Sequence, residues 1–176
     1  MSAPAPPHYT SVPAWAREPV VEPVDHAGTS HSVLSVGPDG AAAAAHWLDA
    51  LGCAGARVRH HDCADAAQAV DALETDLADA LVGHRVLVAG SAQACLAVRA
   101  AAVRAGLSDA ELRVAVTTVD ERSVWCVHCH ATNSAAAELE DVLACAGCGR
   151  TLLVYPHVSR RTGAHLGFMV DAEGPA

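Results

Sequence analysis

Apolar residues along this chain keep one period for a few residues, then switch. The run His31-Ser-Val-Leu-Ser-Val36 is short and apolar-rich, as in a strand, and Gly37-Pro-Asp-Gly40 is expected to break it. Ala41 to Leu51 reads as a helix stopped by Gly52, and Ala56 to His60 as a strand. Asp62 to Leu81 reads as a second helix, because Ala66, Val70, Leu73, Leu77 and Leu81 recur at steps of three and four. The run His84-Arg-Val-Leu-Val-Ala-Gly90 predicts a strand with an unbroken apolar stretch. Ser91 suits the N-cap of a helix over Ala92 to Ala105, which Gly106 ends, and Leu112 to Thr118 is β-rich again.

Strand and helix alternating at these lengths predict an α/β domain over residues 31–120, with a small parallel sheet and crossover helices. Parallel strands are covered on both faces, so Val86 to Ala89 need not alternate with polar residues. Residues 1–30 form a Pro-rich segment, with Pro4, Pro6, Pro7, Pro13, Pro19 and Pro23. That spacing forbids a helix and disfavours a central strand, so an extended arm is expected. A disordered tail and an arm docked on the domain or on a partner are both compatible with it. Residues 121–173 have room for no helix beyond a turn near Asn133 to Glu140.

Composition narrows the function. The chain has 176 residues and is 52% hydrophobic but only 3% aromatic, so its core must be built from thin Val, Leu and Ala side chains. Net charge is -9, and every basic side chain is Arg. An acidic chain of this kind is a poor nucleic-acid binder. No stretch reaches the roughly 18 apolar residues of a membrane span. The N-terminus has no charged segment followed by an apolar run, which predicts a soluble, cytoplasmic protein. Seven cysteines, an odd number, argue against a disulfide framework.

Four of the seven are paired. Cys126-x-x-Cys129 and Cys145-x-x-Cys148 stand fifteen residues apart, the spacing of a four-thiolate metal site. Two thiolates three positions apart on a tight turn can both face one ion about 2.3 Å away, and a second such turn completes a tetrahedron. Gly147 and Gly149 relieve crowding and permit positive φ around the second turn. Zinc is the expected metal, with iron as the alternative. A rubredoxin-type iron site usually has Gly after both pairs and aromatic packing, whereas His130 follows the first pair here. A module of about 50 residues buries too little apolar surface to be comfortable alone, so a structural metal would stabilise it. His128 and His130 are expected to be exposed or to bond to the thiolates. Cys53, Cys63 and Cys95 are expected to be small buried thiols.

Two further groups stand out. His157, Ser159, Arg160 and Arg161 follow the second pair and form a candidate partner-binding surface, since adjacent Arg can grip a carboxylate or phosphate. His60-His61-Asp62 lie on one predicted strand end, point to alternating faces, and are expected at the surface. No nucleophile has an evident base. Gly37-x-x-Gly40 and Gly90 sit where a nucleotide-binding sheet has its phosphate turns, yet neither forms Gly-x-Gly-x-x-Gly or a Walker loop. The stretch from Val86 to Val114 resembles the last strand–helix–strand of the nucleotide domain in ferredoxin-NADP reductase-like proteins. Ala89-Gly90-Ser91 replaces the Cys-Gly-Pro turn of that domain, which implies a degenerate nucleotide site.

The stretch from Trp125 onward carries a second resemblance. The two Cys pairs, Gly149-Arg150-Thr-Leu, His157-Val-Ser-Arg-Arg161 and Leu166-Gly-Phe-Met-Val-Asp-Ala-Glu173 are similar to the C-terminal domain of the dimethylamine monooxygenase small-subunit, or DmmA-like, family. Pro156 departs from the His expected before the His-Val-Ser-Arg-Arg run. The resemblance implies a small β zinc ribbon. It also implies an accessory, docking subunit of a hetero-oligomeric, nicotinamide-dependent monooxygenase that oxidatively N-demethylates a secondary amine. Haem, flavin and an iron–sulfur cluster would lie on the partner subunits. A rubredoxin-like iron electron carrier is the alternative, and a nucleic-acid-binding zinc ribbon is a poorer one.

Overall fold

The structure is a computed structural model that describes residues 10–170. Pro4, Pro6 and Pro7 of the arm, and Asp171 to Glu173 of the C-terminal motif, lie outside the described residues.

The chain enters through a 3-10 turn at Ala14–Ala16 and a two-residue strand, β1 (Val20–Val21). It then alternates: β2 (Ser30–Val36), α1 (Gly37–Cys53), β3 (Val58–Cys63), α2 (Ala66–Ala78), β4 (His84–Gly90), α3 (Ala92–Arg104) and β5 (Leu112–Val116). These strands form one sheet in the order β1-β5-β4-β2-β3, in which β2 to β5 run parallel and β1 lies antiparallel on the β5 edge. A second sheet follows, from β6 (Glu121–Cys126), β7 (Thr132–Ala136), β8 (Val142–Ala144), β9 (Thr151–Val158) and β10 (His165–Met169). Its order is β7-β6-β10-β9-β8, with β6 and β10 parallel and the other pairs antiparallel.

Several boundaries differ from the sequence reading. Gly37-Pro-Asp-Gly40 does not separate strand from helix; it is the first turn of α1, with Pro38 where a missing N–H costs nothing. Asp62 starts no helix, because β3 runs on to Cys63 and Asp65 caps α2 by accepting the Gln68 N–H at 2.9 Å. The turn expected near Asn133 is strand β7, recruited by pairing with β6. Ser91 does cap α3, accepting from the Ala94 N–H at 3.2 Å.

The described part of the arm is docked. Val12 and Ala16 are buried, β1 extends the first sheet, and the Thr10 hydroxyl donates to the Pro156 carbonyl of β9 at 2.7 Å. Proline is tolerated because this segment runs along an edge.

α1 packs Ala44, Trp47 and Leu51 on one face of the first sheet, against Val33, Leu87 and Ala115. α2 and α3 cover the other face, over Leu34, Val86, Val88 and Val114. α3 is buried nearly all round, because β6 and the loop after β9 press on its far side. Alanine makes this possible. A Cβ at Gly163 would lie 2.5 Å from the Leu96 carbonyl oxygen, so the backbones meet with no room for larger groups.

Candidate metal centre

The four paired cysteines converge. Each pair occupies the turn between two strands: β6 leads into Cys126–Cys129 and β7 follows; β8 leads into Cys145–Cys148 and β9 follows. The turns repeat one geometry. His130 N donates to the Cys126 carbonyl at 2.9 Å, and Gly149 N to the Cys145 carbonyl at 2.8 Å. The residue after each second cysteine is left-handed, His130 at φ 66° and Gly149 at φ 73°. Glycine takes that conformation freely, while histidine is strained in it. His130 gains a partner in exchange, its ring stacking on Trp125 at 5.0 Å.

The sulfurs lie within 4.8 Å of one another, with Cys126 to Cys148 at 3.9 Å and Cys129 to Cys145 at 3.6 Å. Four thiolates about 2.3 Å from one ion would have edges of roughly 3.8 Å, so these side chains fit a tetrahedral metal without rearrangement. Gly147 belongs to the fit: a Cβ there would lie 3.0 Å from the Cys129 sulfur and 2.8 Å from the Ala131 methyl. Asn133 locks the second turn, accepting the Ala146 N–H at 2.8 Å and donating to the Cys145 sulfur at 3.7 Å. Burial pushes the Cys145 thiol up, but the Cys148 and Gly147 N–H groups outweigh it and bring it down to about 6. The Ala131 N–H favours ionised Cys129, yet burial and the three neighbouring sulfurs push that thiol up to about 12. Four thiolates this close repel one another, and a cation is what removes the conflict. Ala131, Leu143 and Leu152 pack around the sulfurs, with no aromatic ring among them.

The other singled-out residues scatter. His128 Nδ1 meets the Arg150 guanidinium at 3.0 Å. Cys63 and Cys95 are buried, as expected, but Cys53 is exposed at the end of α1 and corrects that reading. His61 and Asp62 do point to opposite faces: His61 reaches Asp76 of α2 at 2.9 Å, and Asp62 accepts from Ser35. The residues from His157 to Arg161, at the end of β9 and in the loop after it, each make contacts of their own. His157 stacks on Tyr155 at 5.0 Å, and Ser159 accepts the Thr162 N–H at 3.3 Å. Arg160 reaches back to Asp109, 2.9 Å away, which also holds Arg99 through two bonds of 2.8 and 3.0 Å. Arg161 is exposed, and its carbonyl accepts from Arg104 at 2.8 Å.

His165, which the sequence groups with the Arg pair, is instead wholly buried in the second sheet with both ring nitrogens unpartnered. Asp76 and His84 are buried polar groups at the far end of the first sheet that the sequence does not single out. No signal in the sequence marks them, since each sits in an ordinary helix or strand pattern.

Known proteins extend this picture. Residues 123–168 match the family described as dimethylamine monooxygenase subunit DmmA-like, C-terminal domain. Over 103 residues the chain is 37% identical to the heme-dependent oxidative N-demethylase delta subunit of Ectopseudomonas mendocina (strain ymp). That alignment covers 58% of this chain and 58% of the relative, so the chain matches a little over half the relative's length. No solved structure matches the chain.

Proposed function

We propose, for a chain whose C-terminal domain belongs to the dimethylamine monooxygenase subunit DmmA-like family, the role of an accessory subunit in a multi-subunit enzyme that oxidatively N-demethylates a secondary amine. The observation that carries this reading is the four-sulfur centre. Among the described residues it is the one cluster of His, Cys, Asp and Glu built to hold a metal. All four of its sulfurs are committed, which leaves no open coordination position for a substrate.

On this reading the second sheet is a zinc ribbon, with Cys126, Cys129, Cys145 and Cys148 as ligands. Zinc there supplies a cross-link between two turns and no redox chemistry. The apolar, ring-free packing around the sulfurs and the histidine at the first left-handed position favour zinc over iron. Haem, flavin and iron–sulfur chemistry then belong to partner subunits. The first sheet is a reductase-like nucleotide domain kept for packing and docking. At Gly40 the first helix packs directly on β4: a Cβ there would lie 2.5 Å from the Ala89 carbonyl oxygen. No helix among the described residues is long and apolar enough to cross a membrane.

Metal content and a visible spectrum of the chain purified without added metal test the centre. One zinc per chain and no colour is the expected result. One iron with a reducible visible band would make the chain an electron carrier instead.

Docking is tested separately. The surface around His157, Ser159, Arg160 and Arg161 remains the proposed partner contact, but Arg160 also pairs with Asp109 of the first domain. Arg161→Ala is therefore the cleaner variant. It should keep the metal and the melting temperature while weakening co-purification with the partner subunits; unchanged assembly and turnover would remove the docking role of this surface.

A further inference from the structure

The outer face of the second sheet carries an apolar stripe that no core absorbs. Val142 of β8 pairs with Leu153 of β9, Leu153 with Phe168 of β10, and Leu166 of β10 with Trp125 of β6. Residues paired across strands, or two apart along one, share a face, so Tyr155 joins this set. The stripe thus crosses four strands. Among the described residues, the three buried clusters and the half-buried side chains packed on them include none of its six members. Val142 is 57% exposed and Phe168 41%.

The stripe departs from the rest of the chain. There are three Trp, two Tyr and one Phe in all, and three of these six rings lie here. They are already fixed relative to their neighbours. Tyr155 meets Phe168 edge to face at 5.2 Å, while His157 stacks on Tyr155 and His130 on Trp125, each at 5.0 Å. Single apolar residues scattered over a surface need no explanation, but a contiguous row of them marks a contact. Gln93 of α3 meets the same face at Ser123 and Ser134, one step along from Trp125, and bounds the stripe on that side.

The occupant is indicated by where the chain enters. Residues 1–9 lie outside the described part and join the fold at Thr10, whose hydroxyl donates to the Pro156 carbonyl, between Tyr155 and His157. Ser11 bonds to Val158, so from Ser11 to Thr10 the chain retraces β9 towards Tyr155 and Leu153. The segment reads Met-Ser-Ala-Pro-Ala-Pro-Pro-His-Tyr, with three prolines and no Asp, Glu, Lys or Arg. Proline-rich sequence is preformed as polyproline II and docks on rows of aromatic rings at little entropic cost. Nine such residues reach about 28 Å, at roughly 3.1 Å each. From β9 to β6 is two strand spacings, roughly 10 Å. The other terminus, residues 171–176, carries Asp171 and Glu173 and no large apolar side chain, so it suits the stripe less.

We propose that residues 1–9 are the occupant of this stripe, with their prolines resting on Tyr155, Phe168 and Trp125. Any partner that takes this face has first to displace them.

Hydroxyl-radical footprinting of the full, metal-loaded chain, and of the same chain lacking residues 1–9, reads the oxidation rates of Tyr155, Phe168 and Trp125. Protection follows the docked fraction, so all three rates should rise at least about threefold on deletion. Trp47, fully buried under the first sheet's helix, is the control and should not change. The deletion keeps Thr10 to Ala16, and metal content and melting temperature verify the fold. Replacing Pro4, Pro6 and Pro7 together by Ser keeps the chain length and should expose the rings as well. Equal rates in the full and shortened chains would overturn the proposal. So would protection that grows with protein concentration, the mark of a second copy, or protection that arises only when partner subunits are added.

Discussion

At the scale of single residues, the metal centre is set by small groups around the sulfurs as much as by the sulfurs themselves. Gly147→Ala places a methyl against Cys129 and Ala131. The turn must open, so metal release to a competing chelator should quicken while the fold survives. Cys145→Ser should instead cost the metal outright and leave residues 121–170 open to protease. His165 offers a test of a different kind. Burial, helped by nearby Arg122, pushes it down to about 4 from an ordinary 6.5. The unfolded chain therefore binds a proton that the folded chain refuses between those values. Stability from this residue is full above pH 6.5 and lost as pH falls towards 4, by up to about 3 kcal/mol. His165→Leu removes both unpaired nitrogens and should flatten that acid limb in denaturant melts recorded at several pH values, without lowering stability at pH 7.

At the scale of elements, α3 is the hinge of the architecture. It is a weakly amphipathic alanine helix because both of its sides are buried, one by the first sheet and one by the second. Gly163 marks the closest approach, at φ 69° and with the Leu96 carbonyl where a Cβ would go. Gly163→Ala combines backbone strain with a clash against main chain that cannot move. A loss of at least about 2 kcal/mol is expected in chemical denaturation. The arm acts on the same seam: Ser11 exchanges hydrogen bonds with Val158 of β9, while Val12 enters the core under α3.

At the scale of the whole molecule, Asp109 ties the first domain to the loop between β9 and β10, since Arg99 of α3 and Arg160 of that loop share its carboxylate. Hydrogen bonding from Arg99, and the charges of both Arg, hold that carboxyl below the ordinary range. Both Arg160 and Asp109 are about half exposed, so the coupling is modest. A double-mutant cycle with Asp109→Ala and Arg160→Ala should give about 0.5–1 kcal/mol, read from melts. Gln93 adds a second tie, donating to Ser123 and Ser134 at 2.7 and 3.0 Å.

The sequence by itself determined the local features. Apolar runs and caps marked β2, β4 and α3 nearly to the residue, since a buried strand and a capped helix write their patterns over seven to thirteen neighbouring positions. The Cys-x-x-Cys spacing determined the sulfur cluster, because ligands on one tight turn are constrained by the turn alone. Tertiary structure decided what depends on residues far apart. β7 became a strand by pairing with β6, and the arm became an edge by pairing with β5 and β9. Arg160 was diverted from Arg161 by an aspartate 51 positions away, and Asp76 met Ser32 across 44. Packing brings such partners together with no local pattern in the chain to announce them. The metal ligands could therefore be read from the sequence, while the buried contact of Ser32 with Asp76 could not.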